Sequence, residues 1–409
     1  MKVAIVNSAF HPRIVGGIES YLSYVVPMLA QHVSIVVITG PLSVESRTER
    51  DGFFRHLTVR ELDLGNRYPI WDWRNHSAPV RTIWQILDAR DKSVERQMRT
   101  CLKEEDPDIV HTHNLRGLSI GALRLPGELG RMHVHSIHDF LLLSPSSNLQ
   151  LGRITISPNN LVNRLYQETT RSHVSRVNDV VAPSNFILKE HLRRRFFGAA
   201  RKHVLRMPVI SAAEQARLRV GSQRGHPSPA GRTQFLFVGV LERSKGVQVL
   251  LAAIRRSPNL AASFHFVGAG RLAPQLSKSA SIDPRIQFHG RLPVIDLTTL
   301  YNECDVLVFP SVWPENAPMV ISEAVTFHLP VLASNIGGVA EIVSDDIGWL
   351  VRPGSAHDLA AMLDHIAKNP NEIAARSEAM KRESPLPSLS SHVSELVNVY
   401  KHCLESIGF

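Results

Sequence analysis

The sequence predicts an α/β protein built from two doubly wound, Rossmann-like domains. Short apolar strand-like runs alternate with amphipathic helical stretches along the 409 residues, a length that allows two separate hydrophobic cores. A polar and basic stretch divides the two sets of runs, as domain linkers do. We therefore expect a first domain at residues 1–210, a linker at 211–232 and a second domain at 233–391.

Ten apolar runs are predicted to be strands, five in each domain. Continuous apolar runs of this kind are typical of parallel strands buried on both faces. They lie at residues 3–6, 33–38, 108–113, 133–138, 179–184, 235–240, 264–268, 285–290, 305–310 and 330–334. A breaker-rich segment at 383–391 precedes a last amphipathic helix, expected at about 392–409.

The composition bounds the class of protein. Hydrophobic residues make up 44% and charged residues 20% of the chain, as in globular proteins. No apolar stretch is long enough for a transmembrane helix, and polar Asn7 comes too early for a signal peptide. The three widely spaced cysteines indicate neither a disulfide framework nor a zinc site, which fits a reducing cytosol.

The net charge of +9 is unevenly spread, with 19 Lys or Arg against 5 acidic residues in 151–256. Within 189–206, Arg193 to Arg195 stand beside Phe196 and Phe197, a combination that suits an anionic membrane surface. A solvated basic helix face is the alternative. We expect no nucleic-acid partner, because no nucleic-acid-binding motif accompanies the charge.

Residues 305–343 carry a pair of acids around a predicted helix start. An apolar strand at 306–309 leads into a loop with Glu315, and a helix begins near Pro318 and carries Glu323. Ligands of such units bind beyond the strand's carboxyl end, over the helix N-terminus. Carboxylates accept hydrogen bonds from vicinal hydroxyl groups, so this pair predicts a sugar-like ligand.

Two glycine-containing loops are candidate phosphate sites. Gly16 and Gly17 open a helix, where free backbone N–H groups attract anions, although a plain tight turn has the same sequence. The loop 239–246 carries Arg243 and Lys245, whose charges could neutralise a diphosphate. The alternative for these two cations is an ordinary surface loop.

Histidines gather on two predicted neighbouring strands. His111 and His113 are expected on one face, and His133, His135 and His138 on one face of the next strand. Most fit a structural role, and a metal site lacks the supporting carboxylate or cysteine cluster. His138, at a strand end and followed by Asp139, is the best candidate for polar chemistry.

One further pattern, Gly268-Ala-Gly-Arg-Leu-Ala273, matches a dinucleotide-binding fingerprint. A lone match is a weak signal, and Asp283, the candidate acidic partner, stands in a turn before a proline rather than at a strand end. A dinucleotide oxidoreductase is therefore disfavoured.

Together these elements resemble glycosyltransferase family 4, retaining enzymes of the GT-B fold, in which two Rossmann-like domains face each other across a cleft. The resemblance spans nearly the whole chain. Its most specific part is the spacing of Glu315 and Glu323, followed by the Gly337-Gly338 pair. The other matching segments are the Gly16-Gly17 loop, PDIVHTHN at 107–114, SIHD at 136–139, APSNF at 182–186, GVLERSKG at 239–246, VGAG at 267–270, QFHG at 287–290 and GWLVRPG at 348–354.

The resemblance implies a role for each candidate residue. The second domain would hold the nucleotide, with Glu323 on the ribose and with Lys245 and Arg243 on the diphosphate. The remaining donor-binding residues would be Gly16, Gly17, Glu315, Asn316, Ala317, Pro318, Met319, Arg291 and Leu292. The catalytic set would be His138, Glu315, Lys245 and Arg243, with His138 and Asp139 on the acceptor side.

The resemblance also implies transfer of a hexose-type sugar, with retention and without metal or cofactor, from a UDP- or GDP-linked donor. The acceptor would be a saccharide or a lipid-linked sugar in bacterial cell-surface polysaccharide synthesis. The protein would be cytoplasmic or peripheral on the inner face of the cell membrane, and its last helix would pack back on the first domain.

Two alternatives stay open. Val240 stands where the family often has an arginine, so a nucleotide-binding but catalytically weak partner subunit is one, unless Arg243 substitutes. A sugar-nucleotide epimerase of the same fold is the other, disfavoured by the spacing of Glu315 and Glu323.

Overall fold

The computed structural model describes most of the chain in two compact units, Met1–Leu205 with Ser390–Phe409, and Arg206–Leu389. The described residues are 1–11, 13, 16–41, 57–64, 76–77, 80, 83–84, 87–88, 91–147, 149–151, 154–155, 157–209 and 231–405. Of the predicted linker, residues 211–230 lie outside this set, as do 406–409 of the last helix. Each unit contains a parallel sheet, so the predicted α/β class with two Rossmann-like domains is confirmed.

The first unit has nine described strands, seven of them in one parallel sheet of order β3-β2-β1-β4-β5-β8-β9. The chain runs outward from β1 in one direction and then from β4 in the other, which is the doubly wound pattern. The strands are β1 (Lys2–Val6), β2 (Ser34–Thr39), β3 (Thr58–Glu61), β4 (Ile109–Thr112), β5 (Met132–Ser136), the antiparallel pair β6 (Gln150–Leu151) and β7 (Ile154–Thr155), β8 (Asp179–Ala182) and β9 (Arg201–Val204).

Helices cross over between these strands, and several begin at side-chain caps. Asp91, Asn160 and Ser184 each accept a hydrogen bond from a backbone N–H of the helix that follows, which satisfies a donor that the helix cannot. The described helices are Gly17–Leu29, Lys92–Glu105, the short 3-10 turn Ile120–Arg124, Leu125–Glu128, Leu161–His173, Asn185–Leu192 and Leu389–Glu405.

The helix Leu389–Glu405 belongs to the first unit for most of its length. Tyr400 is fully buried, and its hydroxyl lies 2.6 Å from His111 Nδ1. His392 Nε2 lies 2.7 Å from the hydroxyl of Tyr21, and the buried Cys403 thiol contacts Asp179. The final helix therefore completes a core that begins at the N-terminus.

The second unit has one parallel sheet of order β12-β11-β10-β13-β14-β15. Its strands are β10 (Thr233–Val238), β11 (Ala262–Val267), β12 (Ile286–Gly290), β13 (Val306–Phe309), β14 (Val331–Ser334) and β15 (Gly348–Val351). Two hydrophobic clusters cover its faces. Its helices are Val247–Arg256, Ala273–Ala280, Val294–Glu303, Met319–Thr326, Val339–Ile342, Ala356–Lys368 and Pro370–Arg382, and a 3-10 turn spans Arg243–Lys245.

The aromatic residues of the basic segment 189–206 lie in the core of the first unit. Phe196 is 0% and Phe197 is 3% exposed, and their rings pack against His135 and His191. Arg201, in the same segment, starts strand β9 and donates to the buried Asp179. The two phenylalanines are therefore core residues and take no part in a membrane contact, whereas a contact of the segment through its arginines stays a prediction.

Every helix in the described part of the chain is too short or too polar to cross a lipid bilayer.

Candidate functional site

The second unit places two predicted site residues on either side of its topological switch point. Strands β10 and β13 are parallel neighbours, and the chain winds away from them in opposite directions. The loop after β10 carries Lys245, in the turn Arg243–Lys245, and the loop after β13 carries Glu315. In open α/β sheets this is the place where ligands bind.

Lys245 and Glu315 form an ion pair there. Glu315 is only 5% exposed, and its Oε1 accepts hydrogen bonds from Lys245 Nζ at 2.6 Å and from Ser311 Oγ at 2.8 Å. Lys245 Nζ also lies 5.7 Å from the centroid of the Trp313 ring, within cation–π range. Sequence reasoning missed Ser311 and Trp313 as partners of this pair, although both stand in the loop it singled out.

The Gly337-Gly338 pair positions Glu315 through its backbone. Gly338 N donates to the carbonyl oxygen of Glu315 at 2.7 Å. Gly337 has a φ of +61°, and a Cβ there would lie 2.2 Å from the same oxygen. Any other residue at 337 would displace the loop, so this glycine is needed for the position of the acid.

Glu323 is held by a tyrosine that sequence reasoning did not identify. The helix Met319–Thr326 begins directly after Pro318, and Glu323 Oε2 accepts the hydroxyl proton of Tyr301 at 2.7 Å. Tyr301 is 1% exposed and stacks on Phe327 with 5.2 Å between ring centroids. Burial raises the pKa of Glu323, and the tyrosine hydrogen bond opposes that rise. Within the described residues Oε1 has no partner, so one carboxylate oxygen remains available to a ligand.

The other predicted donor residues of this unit lie in or beside the loops at the carboxyl ends of its strands. Asn316 is buried, whereas Ala317, Pro318 and Met319 are half-buried at the helix start. Arg243 is exposed and makes no ion pair with any described residue. Its side chain is therefore not already engaged by an acid, as that of Lys245 is.

Arg291 and Leu292 follow strand β12, with Arg291 exposed and Leu292 half-buried. Just before them, the His289 ring stacks on His265, and His265 Nδ1 lies 3.1 Å from His289 Nε2. Burial and the neighbouring His289 lower the pKa of His265 to about 4. This end of the sheet therefore presents a neutral aromatic pair beside an exposed arginine.

In the first unit, Gly16 caps the helix Gly17–Leu29. Gly16 N donates to Glu19 Oε2 at 2.7 Å, and its φ of −163° is extended backbone that any residue adopts. Among the described residues, a Cβ at Gly16 would meet only Glu19 Oε2, at 3.7 Å. The packing of these residues therefore does not require a glycine here, which leaves close approach of a ligand as a reason for it.

His138 packs on His113 rather than with the histidines of its own strand. Strand β5 ends at Ser136, and His138 Nε2 lies 2.9 Å from His113 Nδ1 with the two rings stacked. His133 and His135 instead contact Thr112. The prediction that His138 shares their face is wrong, because residue 138 is an odd number of positions from both 133 and 135 and lies beyond the end of the strand. Burial lowers the pKa of His138 to about 4, so its ring is neutral at pH 7.

A small cavity adjoins His138 within the first unit. His113, His135, Asp139 and His191 also line it. The Nε2 atoms of His113 and His191 are buried without a hydrogen-bond partner in the described structure. Burial raises the pKa of Asp139, the positive charge of Arg116 lowers it, and its carboxylate accepts a hydrogen bond from Leu141 N at 2.7 Å. The cavity can therefore offer several polar groups to a hydroxyl-rich ligand.

The described residues contain no group of three or more His, Cys, Asp or Glu arranged to hold a metal ion.

The fingerprint at 268–273 has a packing explanation. Gly268 has a φ of +140°, and a Cβ there would lie 1.9 Å from Gly239 O. A glycine is therefore required at position 268 because two loops of the second unit approach each other closely there.

Comparison with known proteins agrees with the resemblance noted in the sequence. The family model for Glycosyltransferase Family 4 matches residues 15–209, and that for Glycosyl transferases group 1 matches 222–383. Among curated proteins, a 42.6 kDa protein of the cps region of Klebsiella pneumoniae is 22% identical over 84% of this chain and 87% of its own length. A D-inositol 3-phosphate glycosyltransferase of Arthrobacter sp. is 32% identical, over 35% of this chain and 36% of its own length.

Among solved structures, Anabaena Alr3699/HepE in complex with UDP superposes with a TM-score of 0.70. It is 18% identical, and the match covers 98% of this chain and 100% of that one. The lipopolysaccharide outer core galactosyltransferase WaaB gives a TM-score of 0.67 at 15% identity, covering 98% of this chain and 99% of its own. These likenesses establish the shared fold. With both halves matched by glycosyltransferase models in the expected order, the chain belongs to the family 4 type of glycosyltransferases and has the GT-B fold.

Proposed function

We propose that this glycosyltransferase moves a hexose-type sugar, with retention of the anomeric configuration, from a nucleoside diphosphate sugar to a saccharide or lipid-linked acceptor. The observation that carries the proposal is the grouping around the switch point of the second unit. A cation, Lys245, and an acid, Glu315, meet there, and Glu323 lies further along the chain with one carboxylate oxygen available. A diphosphate, a sugar and a ribose would use these groups in that order.

The chemical task at such a site is to stabilise charge. When the bond between the sugar and the diphosphate breaks, negative charge grows on the leaving phosphate, and preorganised cations and N–H dipoles lower the energy of that state. Lys245, Arg243 and the backbone N–H groups at the start of the helix Met319–Thr326 would do this. We infer that the leaving phosphate takes the proton of the acceptor hydroxyl, so that neither a metal nor a basic carboxylate is needed.

His138 would serve as a neutral polar contact near the anomeric carbon. Because burial lowers the pKa of its ring to about 4, it would act through a hydrogen bond and not through a positive charge.

The donor and the biological setting are supported by the relatives. Structures of this fold in complex with UDP and with UDP-glucose favour a UDP-linked donor, with GDP as the second choice. Relatives named for amylovoran biosynthesis and for the lipopolysaccharide outer core favour cell-surface polysaccharide synthesis. A lipid-linked acceptor would bring the enzyme to the cytoplasmic face of a membrane.

The test combines binding and turnover. The wild-type protein and the variants Glu323→Gln, Lys245→Ala and His138→Ala are assayed for nucleotide binding by calorimetry, for hydrolysis of a panel of donors and for transfer. We expect Glu323→Gln and Lys245→Ala to weaken nucleotide binding, and His138→Ala to lose turnover while it still binds. Wild-type activity in all three variants would refute the assignment of these residues to the active site.

A second candidate is a nucleotide-binding partner subunit with weak catalysis. Val240 in place of the family's frequent arginine favours it, since the diphosphate would lose one cation. Tight binding of UDP or GDP by the wild-type protein, without turnover of any donor, would support this alternative against the first.

A further inference from the structure

The helix Leu161–His173 in the first unit exposes an apolar face that its own fold does not cover. Leu161 is 72%, Val162 68% and Leu165 63% exposed. Leu165 is four positions after Leu161 and three after Val162, spacings that place side chains on one side of a helix, so the three form a single surface at its N-terminal end. On the opposite side of the helix, Asn163, Gln167 and Thr170 are buried, and the side chain of each donates a hydrogen bond to a backbone carbonyl oxygen of the first unit. The helix therefore packs through polar residues and presents its large apolar ones to solvent.

Basic side chains surround this apolar face. Arg164 is exposed in the same helical turn and forms no ion pair within the described chain. Arg194 donates to Asn159 Oδ1 at 3.1 Å, directly before the cap of the helix, and Arg171 Nε donates to Arg194 O at 3.1 Å. These two contacts fix the turn Arg193 to Arg195 alongside the helix.

This surface carries more positive than negative residues. Six Lys or Arg stand against two Glu in the helix 161–173 and in the segment 185–195, which holds the next helix and the arginine turn. The glutamates are already engaged, Glu168 with Arg171 and Glu190 with Arg193 and Arg194. Arg193 is nevertheless 71% exposed at its side chain, and Arg195 is exposed as well. The surface therefore combines apolar side chains with a surplus of positive charge.

We propose that Leu161, Val162 and Leu165 insert into the headgroup region of an anionic lipid bilayer, with Arg164, Arg193 and Arg195 on the lipid phosphates. An apolar helix face flanked by cations is the pattern of proteins that lie on membranes, where burial of apolar area and attraction to anionic lipid add together. The surplus of positive charge beside this face matches lipid phosphates, whereas a protein partner would need acidic groups placed to match the same arginines. The inference concerns the first unit alone, and it does not depend on which sugar is transferred.

The experiment uses the full chain and needs neither donor nor acceptor. Sedimentation with phosphatidylcholine vesicles, with and without phosphatidylglycerol, is compared for the wild-type protein and for the double variant Leu161→Ser/Leu165→Ser. The matched control is Ile282→Ser, since Ile282 is 73% exposed but lies in the second unit. Circular dichroism and UDP calorimetry show that each variant is folded, and they test the glycosyltransferase proposal separately.

We expect binding only to vesicles with phosphatidylglycerol, weakened by the serine double variant by about tenfold or more and unchanged by Ile282→Ser. Arg193→Gln/Arg195→Gln should also weaken it and reduce its dependence on salt. Three results would overturn the proposal: no vesicle binding by the wild-type protein, equal binding by the serine double variant, or a wild-type dimer that the serine double variant dissociates. The last would assign the face to a second copy of the chain.

Discussion

Lys245 Nζ lies 2.6 Å from Glu315 Oε1, so the cation assigned to the diphosphate and the acid assigned to the sugar neutralise each other in the structure. A diphosphate that binds Lys245 has to share this lysine with Glu315 or displace Glu315 from it. Ser311 also donates to Glu315, which lets the acid keep one partner when Lys245 moves.

This pairing predicts opposite effects on UDP binding from its two members. Lys245→Ala removes a charge-assisted hydrogen bond to phosphate and should weaken UDP binding about tenfold or more. Glu315→Gln removes the competing negative charge and should leave UDP binding equal or tighter, while transfer from the sugar nucleotide falls. Calorimetry with UDP and a transfer assay measure both. The control is Lys278→Ala, an exposed lysine of the same unit, and an equal loss of UDP affinity in both members would contradict the prediction.

Tyr301 is predicted to position Glu323 for the ribose. Tyr301→Phe keeps the ring that stacks on Phe327 but removes the hydrogen bond to Glu323 Oε2. The carboxylate would then be free to turn, and UDP binding should weaken by about 1 kcal/mol. Binding of 2′,3′-dideoxy-UDP, which lacks the ribose hydroxyls, should change much less.

Comparing the two nucleotides shows whether Tyr301→Phe acts by releasing the Glu323 carboxylate or by disturbing the fold of the second unit. If Tyr301→Phe weakened both nucleotides equally, the tyrosine would be only a core residue. Phe327→Leu serves as the matched variant, because it disturbs the same stack without touching the hydrogen bond.

The buried histidines predict a loss of stability in acid that is larger in the first unit than in the second, because more of them are buried in the first unit. Burial lowers the pKa of His133 to about 3 and that of His138 to about 4. Below about pH 6.5 the unfolded chain takes up protons that the folded unit does not, so stability falls as the pH drops from there toward the folded pKa values. Each such histidine contributes about 1.4 kcal/mol per pH unit in that window.

Hydrogen exchange followed on peptides of each unit would measure this effect at about pH 7 and about pH 5. Protection should drop more in the first unit, and His133→Gln should reduce the dependence on pH. His357→Gln is the control, since that ring is 80% exposed. The same loss of protection in both units would speak against the histidines as its cause.

The last helix is predicted to be as important to the first unit as any of its internal helices. Tyr400→Ala removes a fully buried ring and its contact with His111, and it should destabilise the first unit by about 3–5 kcal/mol. Lys401→Ala, at the exposed neighbouring position, should have little effect. Chemical unfolding of both variants gives the comparison, and equal stability would show that the helix is dispensable.

The sequence was sufficient for the central strands and insufficient for the edges. Strands such as β10 and β13 are continuous apolar runs, because both of their faces are covered. Strands β3 and β9 read TVRE and RKHV, since edge strands are half-exposed and carry charge, so they resemble loops. Strand β9 was for the same reason taken as part of a basic surface segment.

The residues of the candidate site also divide into some that the sequence could predict and some that it could not. The positions of Lys245 and Glu315 could be predicted, because each lies in a loop that follows an apolar strand. Tyr301 could not be identified, since it stands 22 residues before its partner in a helix with no distinguishing pattern. The face of His138 was assigned wrongly because the step from 135 to 138 is an odd number of residues, which alternation places on opposite faces, and because β5 ends two residues before 138.

The first unit is built from two separate parts of the chain, 1–205 and 390–409. During synthesis the ribosome therefore completes all of the second unit before the residues that close the first core around Tyr21 and His111 exist. The usual order, in which the N-terminal domain finishes folding first, is reversed for this protein. Until then, the surface that later receives Tyr400 and Cys403 has no cover from the last helix, and transiently exposed apolar surface of this kind favours aggregation.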